Sequence, residues 1–179
     1  MALERLTAGL IGLSVWAAQV VSPGIADFQK RVGNYEKVRR TAASAVPVLK
    51  ATESAKKIRD HERDMALAIR AARPGAAQGD IFTPAIATEF RGIIQSALSG
   101  PGADRMKHNM RDSQPSPLPQ IAVDTTYPIN DPVQSMPPSL LRQLPLLPRE
   151  LEYRAVGRTL ILRDIEANLI VDYITQALP

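Results

Sequence analysis

The chain has 179 residues, 45% of them hydrophobic but only 4% aromatic, with a formal net charge of +4 and no cysteine. That much apolar material can fill one core, so the length sets one domain, or one domain plus an anchor. The missing cysteine excludes disulfides, thiolate catalysis and Cys-ligated zinc or iron–sulfur sites, and the charge is too small to indicate nucleic acid.

Residues 1–26 form the first unit. A short polar head leads into an apolar run from Leu6 to Val21. Ser22-Pro23-Gly24 then breaks any helix, and Gly24-Ile25-Ala26 offers the small residues that a signal peptidase reads. This predicts a signal peptide cut after Ala26. An uncleaved membrane anchor is the competing reading. The run from Leu6 to Val21 is 16 residues, about 24 Å as a helix, which is short of the ~30 Å hydrocarbon core but tolerable with flanking residues. Leu6, Leu10, Leu13 and Trp16 are the anchor residues in that reading, with Trp16 at an interface. The head favours the anchor, because its one arginine is offset by Glu4. A third reading is a buried N-terminal helix of a soluble protein.

Residues 27–112 read as a helical region. Phe28, Val32, Tyr35, Val38, Ala42 and Ala45 recur every three or four residues, as one apolar stripe does. Val46-Pro47 interrupts it. A second stripe runs Val48, Ala51, Ala55, Ile58, Met65, Ile69, Ala72. Two stripes with a short break predict an antiparallel helical hairpin, and one helix kinked at Pro47 is the alternative. The opposite faces carry Lys30, Arg31, Lys37, Arg39, Arg40, Lys50, Lys56, Lys57, Arg59, Arg63, Arg70 and Arg73. They read as a solvated basic face, or as a surface for anionic headgroups or an acidic partner. Thr83-Pro84 opens a third helix, with Thr83 as cap and Pro84 in the first turn. Ile86, Phe90, Ile93 and Ala97 form its buried side, and a short helix from Ala103 to about Arg111 follows.

Residues 113–148 hold nine of the chain's fifteen prolines and read as an extended connector wrapped over the domain. Within it, Ile121, Val123, Thr125 and Tyr127 alternate like a strand that pairs with the C-terminal sheet, and Ser139–Leu144 reads as one or two helical turns. Residues 149–179 supply the sheet. Leu151, Tyr153 and Ala155 alternate with more polar neighbours, Gly157-Arg158 suits a tight turn, and Thr159–Asp164 returns as the second strand of a hairpin. Leu169–Ile174 reads as a third strand, with a helix over Ile165–Leu178 as the alternative. The fold class is therefore α+β, with a helical hairpin and third helix packed on a small antiparallel C-terminal sheet.

The run LPRELEYRAVGRTLILRDIEANLIVDYI, with GDIFTPAIATEFR upstream, resembles an uncharacterised family of exported bacterial proteins. The resemblance spans most of the chain after residue 27. It implies export and a shared fold, and no activity.

Candidate chemistry is sparse. Of the two histidines, His61-Glu62 starts like a zinc-protease motif, but Met65 sits where the second ligand belongs, leaving an exposed helical histidine. His108 lies four residues after Asp104, where a pairing only tunes its charge. No nucleophile elbow, phosphate loop or dinucleotide fingerprint occurs. Asp164, Glu166 and Asn168, at alternate positions on a strand, would project from one face and could contribute oxygens to a calcium or magnesium site. Turn residues on a solvent side explain the same pattern. The expectation is thus a non-enzymatic, exported protein on the periplasmic side. It would be an accessory subunit of a larger membrane complex, with protein partners, membrane contact through its N-terminal segment, no nucleic acid and no cofactor. A soluble periplasmic binding module for a small ligand or protein, and a metal-dependent hydrolase using Asp164 and Glu166, are the alternatives.

Overall fold

The structure, a computed structural model, describes residues 22–113, 118–128, 134 and 136–179. The expected anchor residues Leu6, Leu10, Leu13 and Trp16 lie outside the described residues. Among the described residues no helix is long and apolar enough to cross a membrane.

Helix α1 spans Pro23–Ala43. Ser22-Pro23-Gly24, expected to break a helix, starts one instead. Ser22 accepts from the Ile25 amide at 3.3 Å, and Pro23 occupies the first turn, where no amide bond is lost. Phe28, Val32, Tyr35 and Ala42 are buried as the stripe predicts, while Ala45 is exposed beyond the helix end. Helix α2 spans Ala55–Ala72, capped by Ser54. The two helices pack as a hairpin, and no single kinked helix forms. Val48 and Ala51 lie in the connecting loop, with Val48 fully out in solvent. The second stripe therefore begins late: Ala55 and Ile58 are exposed, whereas Met65, Ala66 and Ile69 are buried.

Helix α3, Pro84–Ala97, carries the expected Thr83 cap and buries Ile86, Ala87, Phe90 and Ile94. Helix α4 is Ala103–Asp112 and the single-turn α5 is Pro138–Leu141. Strands β1 (Leu151–Val156), β2 (Thr159–Asp164) and β3 (Leu169–Ile174) form a three-stranded antiparallel sheet in that order. Gly157, at φ +55°, makes the β1–β2 turn that sets Val156 opposite Thr159. The last run is a strand and not a helix, because Asn168 takes a left-handed conformation (φ +47°) and folds the chain back at Leu169.

The core lies between the helices and one sheet face. Phe28, Phe82 and Phe90 cluster with centroids 4.9–5.5 Å apart, and Tyr153 of β1 reaches Phe90 at 6.0 Å. Segment 121–127 covers the other face, where Tyr127 packs with Val156, Ile161 and Ile170. The strand expected there is an irregular segment. It exchanges bonds with β3 (Asp124 N to Ile170 O and Ile170 N to Thr125 O, both 2.9 Å), but Asp124 at φ +60° breaks the pleat. With both faces covered, β2 is buried from Leu160 to Asp164, including its charged end.

Candidate functional site

Acid and base side chains from distant elements converge at the β2–β3 turn, against α1 and α2. Asp164 closes β2 and is wholly buried. One carboxylate oxygen accepts from the Tyr35 hydroxyl at 2.9 Å and from Arg39 Nε at 2.7 Å, and the other from the Ala167 amide at 3.0 Å. Tyr35 and Arg39 are four residues apart on α1, so they share a helix face. Arg39 Nη2 also donates to Glu166, whose second oxygen meets His61 Nε2 of α2 at 2.8 Å. One guanidinium thus ties two carboxylates, and one of those carboxylates ties α2.

The electrostatics follow from this geometry. Burial works to lower the Arg39 pKa, but the charges and hydrogen bonds of Asp164 and then Glu166 outweigh it and hold the guanidinium above its ordinary value. Burial, and then the Asp164 charge, push the Tyr35 phenol far above its usual range. The hydrogen bond from His61, with Arg39 behind it, holds the Glu166 carboxyl below its ordinary value.

Several expectations change here. Arg39 is not on a solvent face but only 7% exposed. Arg70 and Arg73 also turn inward: Arg70 Nε donates to the Asp124 carbonyl at 2.7 Å, and Arg73 Nη2 to the Val171 carbonyl at 3.2 Å. His61 is not an exposed helical histidine, since its side chain is 9% exposed and lodged against Glu166. His108 pairs with Asp112 at 3.0 Å, one turn on, and not with Asp104.

Asp164, Glu166 and Asn168 do not project from one strand face, because β2 ends at Asp164. Glu166 sits in the half-exposed turn. The Asn168 amide faces away, accepting from Arg163 Nε at 2.9 Å and donating to the Tyr127 carbonyl at 3.1 Å. Arg39 and His61 occupy the positions around these carboxylates that a cation would take. Among the described residues, no three His, Asp or Glu side chains are grouped to hold a metal.

A second buried carboxylate was missed by sequence reading. Asp172 of β3 accepts from the amides of Gly79, Ile81 and Phe82 at 3.0, 2.8 and 2.7 Å. This holds the GDIF loop on the sheet and sets Phe82 into the aromatic cluster. The available signal was a lone acid inside an otherwise apolar strand, Leu169–Ile174. For Arg39 the signal was its place four residues after Tyr35 on the buried stripe.

Chemically, the turn cluster is paired within itself. Arg39 bonds both carboxylates, and His61 bonds the second oxygen of Glu166. Among the described residues His61 bonds Glu166 and no hydroxyl, so no activated nucleophile is assembled. A groove of about 320 Å³ lies nearby, bordered by Arg31, Asn34, Tyr35, Arg73 and Asp80. Arg31 is already engaged there, with Asp27 at 2.8 Å and the Asp80 carbonyl at 2.8 Å.

Compared with family models, curated proteins and solved structures, the chain matches none.

Proposed function

We propose that this is a non-enzymatic, exported bacterial protein that works through its surfaces, as an accessory subunit of a larger assembly at the periplasmic face of the membrane. One observation carries the reading. The acid and base groups gathered at the β2–β3 turn are bonded to each other, across α1, α2 and that turn. Such a cluster fixes three elements in register, and its own carboxylates and histidine are engaged with one another.

Two further features support it. The core between helices and sheet is packed around Phe28, Phe82, Phe90 and Tyr153, and the space of about 770 Å³ between α2, Tyr127 and the β2–β3 turn is bordered by charged Arg59, Glu62, Arg63 and Arg70. Lys30, Lys37 and Arg40 stand exposed on α1, available to an acidic surface. The test is native electrophoresis of the tagged full chain from mildly solubilised membranes. The reading expects migration far above the 19.5 kDa chain, with a stoichiometric companion. A band at monomer size would overturn it.

A further inference from the structure

We infer that the apolar run ending at Val21 is not cut away after Ala26 but stays joined to the folded body as a membrane tether. The inference rests on the export reading above.

Residues 22–26 are built into the fold. Ser22 caps α1, and its carbonyl accepts the Ala26 amide at 3.0 Å. Glu89 of α3, 65 residues on, closes over this helix start. Its carboxylate accepts from the Ser22 hydroxyl and, at 3.2 Å, from the Gly24 amide. A carboxylate there satisfies amides that a helix leaves unpaired and opposes its positive end. Gly24 leaves room for this approach, since a Cβ there would lie 2.3 Å from the flexible end of the Glu89 side chain and push it aside. Ile25 packs on the core, and Phe28 just beyond is fully buried.

The peptidase-like pattern therefore has a second reading. Gly24 lies directly against the Glu89 carboxylate, and Ala26 is an exposed helix residue. A cut after Ala26 would remove the cap and strip Glu89 of both partners. It would also set a new ammonium at the positive end of the helix dipole, one residue from buried Phe28. Val21 and Ser22 are adjacent, so no linker separates the run from the folded body. A retained run places that body directly against the bilayer, where an accessory subunit would work.

The experiment uses the full chain with a C-terminal tag in a Gram-negative host. Membranes are washed in alkaline carbonate, spheroplasts are treated with protease, and the intact mass is measured. Expected is a carbonate-resistant, protease-accessible chain whose mass includes all 179 residues apart from the initiator Met. An exported chain beginning at Asp27, or cut anywhere within the run, overturns the tether alone. A soluble, protease-protected chain overturns the export reading and the tether with it. Limited proteolysis reads the clamp separately. Glu89→Ala should speed cutting around residues 22–26 on the order of tenfold, the factor that loss of a hydrogen bond to a charged group represents. Equal rates in both proteins would overturn the clamp.

Discussion

Arg39→Met tests the turn cluster most directly. The substitution keeps the stem volume and removes the guanidinium from wholly buried Asp164 and from Glu166. Asp164 keeps the Tyr35 hydroxyl and the Ala167 amide but loses the guanidinium bonded to it. Removing one partner of a buried ion pair costs about 3–5 kcal/mol, because the other charge stays buried and uncompensated. That is a large share of the roughly 5–15 kcal/mol that holds a domain together. Urea unfolding followed by far-UV circular dichroism reads it. With a slope of about 2 kcal/mol per molar urea, the midpoint should fall by about 1.5–2.5 M. Asp164→Asn should also destabilise. Combined with Arg39→Met, it removes both charges, so the double variant should cost at least about 1 kcal/mol less than the two single losses added together. A loss below about 1 kcal/mol for Arg39→Met, the size of an exposed pair, or strict additivity in the cycle, would refute the reasoning.

Three other perturbations follow from the same geometry. Asp172→Ala orphans the amides of Gly79, Ile81 and Phe82 at about 1–3 kcal/mol each, and near-UV dichroism should report the loss of the packed aromatics. Asp172→Asn keeps one acceptor oxygen and should fall between the wild type and Ala. The Tyr35 and Tyr153 phenols both sit far above their ordinary 10.0, chiefly through burial. The folded state therefore holds their protons more tightly, so stability is whole below pH 10 and falls above it, by about 1.4 kcal/mol per pH unit for each. Tyrosinate absorbance and loss of dichroism should rise together, and both phenols titrating near pH 10 with the fold intact would contradict this. Glu166 is shifted the other way, below 4.5, so its contribution is present above that pH and is lost as pH falls through the folded value. Glu166→Gln should flatten the drop in urea midpoint between pH 6 and pH 3, and an unchanged acid limb would count against the His61 and Arg39 contacts.

The sheet was legible because strand period and turn chemistry are local. Leu151, Tyr153 and Ala155 alternate, Gly157 supplies the positive φ, and Thr159–Asp164 returns in register. Helix α3 was legible for the same reason, since Thr83 and Pro84 announce its start. Periodicity failed where a turn interrupts it. The spacing of Asp164, Glu166 and Asn168 holds on a strand, but the chain leaves the strand at Asp164. The alternation over Ile121–Tyr127 gives the right partner, β3, and the wrong regularity, because Asp124 bends out of the pleat.

Charge was the harder problem. A lone arginine on a helix reads as solvated unless its partner is known, and the partner of Arg39 is 125 residues away. His61 and Glu166 are separated by 105. Neither pairing leaves a local trace, so burying a charge is a decision made by the tertiary fold. What the sequence did contain was misfit: Asp172 inside an apolar strand, and Arg39 one turn from Tyr35 on the buried stripe. Gly24 has the same character. Its smallness fits a peptidase or a close-packed carboxylate equally well from the sequence, and the Glu89 carboxylate beside it comes from 65 residues away.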